Sequence, residues 1–230
     1  RVIEYLIQNP QPNLEFAINT NACPPKETQW KDFVDKIKIL EDNNCIKRFV
    51  LFVSAEGKGA QQEYNRYGMD WTMFTDNVKY YLKQTTGRCV FMSAFNVLSI
   101  PTFLPFLKYV ARLKGGYENE IVVDIPYVRS PGFLDAKIAS DELIKEYLHP
   151  CIPYMEEKNF NNREKAQMKR IVKDLDLRHA NSDNWKQEAI EGRRMFYEWI
   201  QQYDKRRDLN FLEVFPQMED FYEECKKCMI

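Results

Sequence analysis

Between Phe52 and Trp71 the chain reads FVSAEGKGAQQEYNRYGMDW, an apolar run that breaks into Ser54, Glu56, glycines and Arg66 before a helical pattern begins. An ordinary strand-to-helix connection takes about 2–6 residues. This one is longer and is made of residue types that grip ligands. A guanidinium such as Arg66 offers a bidentate, charge-assisted hold on a carboxylate, and a hydroxyl such as Ser54 can complete its hydrogen bonding. The same guanidinium could instead pair with Glu63 or Glu56 in its own loop. Further polar residues close the other apolar runs: Asn19 and Asn21, Asn96, and Tyr127 with Arg129. Asparagine is also a common turn former, so each has a purely structural alternative.

The elements that must position these residues follow from periodicity. Asn13 to Asn21 alternates Leu14, Phe16 and Ile18 against Glu15, Ala17 and Asn19, as a strand does. Trp30, Phe33, Val34, Ile37 and Leu40 then repeat at helical spacing. Ile46 to Ser54 is nearly all apolar and suits a strand buried on both faces. Trp71, Phe74, Val78, Tyr81 and Leu82 predict the next helix, with Asp70 as its N-cap. A third strand is expected over 88–97, and a helix over 103–113 ended by Gly115-Gly116. A fourth strand is expected over 120–128. This alternation of strand and helix signals a parallel α/β sheet or barrel, and the polar clusters fall just after the strands' carboxyl ends, where such folds bind ligands. Beyond Val128 the pattern is helical. Ile190, Phe196, Trp199, Ile200 and Tyr203 form its clearest apolar stripe, and the mixed charges from Glu156 to Asp208 read as solvated helix faces.

With 230 residues and a formal net charge of −1, the chain can bury a core and offers no basic excess for nucleic acid. No apolar run approaches the roughly 18 residues of a membrane span. The six cysteines are too scattered for a secreted disulfide framework, and Cys45 and Cys89 read as buried thiols. A cytoplasmic setting is expected. Cys225-Lys-Lys-Cys228 has metal-ligand spacing but supplies two ligands of the usual four. His149 and His179 sit in no catalytic pattern and read as surface or helix-end residues.

The series LEFAINTNA, FVSAEGKGAQQEYNRYGMDWTMFTDNVKYYL and FMSAFNVLSIPTFLPFL resembles the second part of radical S-adenosylmethionine enzymes, in the branch with a twitch-type extension. The tail FLEVFPQMEDFYEEC resembles that branch's ending, so the likeness covers roughly residues 1–130 and 209–225. It implies a partial (β/α) barrel of about four parallel strands over 1–130, units three to six of the family's barrel, with a mostly helical extension over 131–230. Arg1 to Asn9 is then expected as the helix after a second strand, and the opening on Arg1 suggests a fragment.

The resemblance also implies site roles. Ser54 and Arg66 match residues that contact the methionine part of S-adenosylmethionine. Glu56 takes the acidic position of the S-I-D-G pattern. Asn19 and Asn21 match a T-N-G strand end facing the same cavity, Asn96 lies near the ribose, and Ile125-Pro126-Tyr127 borders the adenine. The implied chemistry is reductive cleavage of the cofactor to a 5′-deoxyadenosyl radical that abstracts hydrogen from a peptide or small molecule. The electron comes through a four-iron, four-sulfur cluster fed by a reductant such as a flavodoxin or ferredoxin. The family's Cys-x3-Cys-x2-Cys loop and Gly-Gly-Glu strand end are both missing from this sequence. Cluster ligands are therefore expected outside the chain, with Cys225 and Cys228 the remaining metal candidates. The alternative is a non-catalytic binding or partner module on the same fold.

Overall fold

A computed structural model describes residues 1–180 and 184–229. In chain order, α1 (Val2–Gln8) leads into β1 (Gln11–Thr20), α2 (Glu27–Asp42) and β2 (Ile46–Ser54). There follow α3 (Ala60–Asn65), α4 (Trp71–Gln84), β3 (Arg88–Met92), a 3-10 helix over Val97–Thr102, α5 (Phe103–Gly116) and β4 (Ile121–Asp124). The remainder is helical: α6 (Asp141–Leu143), α7 (Cys151–Glu157), α8 (Asn162–Asp176), α9 (Trp185–Arg207), α10 (Phe211–Val214) and α11 (Glu219–Lys227). The strands form one sheet in the order β1-β2-β3-β4, every neighbouring pair parallel. The fold is therefore α/β with a four-stranded parallel sheet.

Helices cover one face of this sheet. Phe33 of α2 lies 6.2 Å from Phe49 of β2, Phe49 lies 6.1 Å from Tyr81 of α4, and Phe91 of β3 lies 5.7 Å from Phe106 of α5. Phe49, Leu51, Val53, Cys89, Phe91, Ile121 and Val123 enter this main core, which continues through the C-terminal helices. Strand alternation sends the other residues to the opposite face. There Val50, Val90 and Val122 make a separate small cluster with Phe52 and Met92. Below it, Arg48 pairs with Glu15 and Glu120, and Arg88 also reaches Glu120.

Several sequence expectations need correction. β3 ends at Met92 and β4 at Asp124; beyond them only a single bridge joins Phe95 to Tyr127. Pro126, which lacks an amide donor, interrupts the ladder there. The connection after Ser54 contains α3. α5 runs through Gly115-Gly116 instead of stopping before them. In the apolar stripe of α9, Phe196, Ile200 and Tyr203 are buried, but Ile190 is exposed. The charged stretch from Glu156 to Asp208 is not uniformly solvated either, because Glu164 and Arg178 are buried. Among the described residues no helix is long and apolar enough to cross a membrane.

Candidate functional site

The loop after β2 is organised around a buried carboxylate. Glu56 is 3% exposed, and Arg66 Nε donates to its Oε2 at 2.9 Å while Asn65 Nδ2 donates to its Oε1 at 3.2 Å. The Glu56 amide donates to Gln62 Oε1 at 3.0 Å. Burial raises the Glu56 carboxyl above its ordinary range, and the Arg66 charge offsets part of that rise. Glu63 is not the partner of Arg66: it accepts from the Trp71 amide at 2.7 Å, beside Asp70, whose side chain accepts from the Met73 amide. Both acids thus cap α4.

Two glycines let this loop close. A Cβ on Gly57 would lie 2.6 Å from Thr102 Cγ2, and Gly59 has φ +62°, a left-handed conformation that favours glycine. The loop is then fastened from behind by the C-terminal helices. Tyr64 of α3 donates to Asp204 at 2.7 Å and packs against Tyr203, Phe211 and Phe215. Tyr203 donates to the Tyr64 carbonyl at 2.6 Å, and Gln61 Nε2 donates to the Val214 carbonyl at 3.1 Å. The helical C-terminal part thus fastens α3, the helix that leads into Arg66.

The structure joins Glu56 and Arg66 and distributes the other candidates. Ser54 ends β2, half-buried, and alternation places it on the face opposite the covering helices, together with exposed Asn19 of β1. Neither side chain has a hydrogen bond among the described residues. Asn21 is used in a turn, its Oδ1 accepting from the Cys23 amide at 3.1 Å. Asn96 is buried and fully engaged as the cap of the 3-10 helix: its Oδ1 accepts from Leu98 N–H at 2.9 Å and its Nδ2 donates to the Ala94 carbonyl at 3.1 Å. Its strand-end role gives way to a capping role because β3 stops four residues earlier.

Asp124 was missed by sequence reasoning. It stands in register with Met92 at the carboxyl end of β4, on the open face, and accepts from Gln167 and Arg163 of α8. The alternation in EIVVD contains the signal, since Val122 and Asp124 share one face there.

The cysteines do not converge. Cys225 is fully buried with its thiol pKa raised by desolvation, and Cys228 donates to the Glu224 carbonyl. Burial also pushes the Cys151 thiol up to about 12. Cys45 and Cys89 are buried thiols as expected. Among the described residues no group of three or more His, Cys, Asp or Glu side chains could hold a metal ion. His149 meets Asp176 and His179 meets Asp141, both exposed pairs.

No family model, curated protein or solved structure matches the chain. Function is therefore read from the sequence and the geometry alone.

Proposed function

We propose that this chain is part of a radical S-adenosylmethionine enzyme, forming one wall of its (β/α) barrel and contributing to the grip on the cofactor's methionine end. The observation that carries the reading is the one-sided sheet. Its strands run in sequential order with helices over one face, as in a barrel wall, whereas doubly wound sheets carry helices on both. Ser54 stands at the carboxyl rim of the open face, and Arg66 follows in the next loop.

These two residues fit a carboxylate ligand. The Ser54 hydroxyl has no internal partner among the described residues. Arg66 is anchored through Nε, and its terminal nitrogens make no hydrogen bond among those residues. Glu56 would orient that guanidinium, Ser54 would complete the carboxylate's hydrogen bonding, and the tyrosine and phenylalanine packing behind α3 would keep the loop from moving. When bound, the cofactor supplies hydrogen abstraction by a radical, the part of the chemistry that no side chain here provides. The cysteines do not fit an iron–sulfur cluster, so its ligands would come from outside this chain.

The Glu56–Arg66 pair also favours a second reading, a non-catalytic module in which that pair is only structural. Equilibrium dialysis of the chain against S-adenosylmethionine separates the two. The first reading expects saturable binding, competed by S-adenosylhomocysteine. It also expects affinity about tenfold or more weaker in Arg66→Met and several-fold weaker in Ser54→Ala. No saturable binding, or equal affinity in both variants, would leave the binding-module reading.

A further inference from the structure

We propose that the cleft beyond the carboxyl end of β4 binds a small organic anion, with its charged head among Arg129, Lys137 and Arg170 and its apolar body along Trp185 and Met195. A cavity of about 370 Å³ is lined by Tyr127, Arg129, Lys137, Arg170, Ile171 and Asp174. A second cavity of about 360 Å³ shares Arg129 and Lys137 with it and extends over Ile138, Trp185, Ala189, Gly192 and Met195. Both volumes suit small-molecule ligands, which combine an apolar wall with a few convergent polar groups.

The charge distribution selects the ligand. Among the described residues, none of Arg129, Lys137 and Arg170 makes an ion pair or a side-chain hydrogen bond. Other cations nearby are engaged: Arg163 with Asp124, Arg178 with Asp141, Arg193 with Glu224. The three cations face one carboxylate, Asp174, in the first cavity. Asp135 lines the second cavity, not the first, and its carboxylate is held there by the Tyr127 hydroxyl at 2.6 Å and the Lys137 amide at 2.8 Å, so it offsets part of the positive charge on that side only. In the second cavity Glu191 is held by Arg194, leaving Glu188 at its wall. Positive charge is therefore concentrated at the β4 end and apolar surface at the α9 end. The first cavity sets three cations against one carboxylate, an excess that attracts negative charge, and guanidinium groups suit phosphate and carboxylate heads alike. The seat is built by close packing: a Cβ on Gly192 would lie 2.6 Å from Ile138 Cγ2, so α9 approaches the Ala136–Ile138 turn as nearly as backbone allows.

This site adjoins, through Tyr127, the stretch expected to border the adenine, but binding of the anion does not depend on the cofactor reading. Titration calorimetry on the full chain tests it with phenyl phosphate and phenylacetate as head-plus-body probes, inorganic phosphate as head alone and benzyl alcohol as body alone. The expected result is saturable binding of at least one aromatic anion, tighter than either half-probe. The better of the two identifies the head as phosphate or carboxylate. In Arg129→Gln/Arg170→Gln, whose residues are both exposed, affinity should fall about tenfold or more with the circular dichroism unchanged. Removing two charges elsewhere, in Lys26→Gln/Lys31→Gln, should change nothing. Absence of saturable binding by both aromatic anions, or equal weakening in the two double variants, would overturn the proposal.

Discussion

Along and just past β4 the Val123 and Ile125 amides donate sideways to Glu164 and Gln167 of α8, at 2.8 and 3.4 Å, whereas among the described residues β1, ten residues on the opposite edge, has no such cover. Glu164 is central to the first arrangement. It is completely buried, takes both oxygens' worth of Lys114 at 2.9 and 2.8 Å, and closes a capping box with Asn161 at the start of α8. Glu15 on β1, by contrast, is exposed and turns to Lys47 and Arg48 of β2. One edge is finished by a buried ion pair and the other is left as a strand template. Parallel sheets are normally covered on both faces, and here the open β1 edge adjoins the face that carries only the small Val50, Val90 and Val122 cluster. That is where further strands would join in the barrel reading.

The largest expected effect tests the finished edge. Glu164→Ala strands the Lys114 charge and the Val123 amide, and should cost about 3–5 kcal/mol in urea unfolding. Glu15→Ala on the open edge should leave the midpoint unchanged. Equal losses in the two variants would remove the distinction between the edges.

How far the sequence foresees this contrast depends on the range of the signal. The helix over Trp71–Gln84 and its Asp70 cap are plain, because apolar spacing and capping are local. The four strands are visible for the same reason, with their ends misplaced where Pro126 and the Asn96 cap compete with the ladder. Glu164 reads as one more charge on a polar helix. Only folding brings it to Lys114, fifty positions away, and to Val123. The Glu56–Arg66 pair lay within local reach and was one of two pairings open to Arg66, the competing Glu63 being drawn off by the start of α4. Lys137 and Arg170 carry no local signal at all, since they converge only in three dimensions.

A smaller effect concerns pH at the rim between these regions. Burial holds the folded Glu56 carboxyl above its ordinary value of 4.5, so folding favours the protonated form. Its contribution is complete below that value and is lost as pH rises through the folded value. The stability difference between the native chain and Glu56→Gln should therefore shrink as pH climbs from about 4.5 toward neutral. A difference that grows over that range would mean that Arg66 outweighs the desolvation.

The most direct measurement is amide hydrogen exchange resolved along the two outer strands of the chain alone. Slow exchange is expected at Val123 and Ile125, and fast exchange at alternate amides along residues 15–20 of β1, those facing away from β2. Uniformly slow exchange through β1, matching β4, would contradict an open edge.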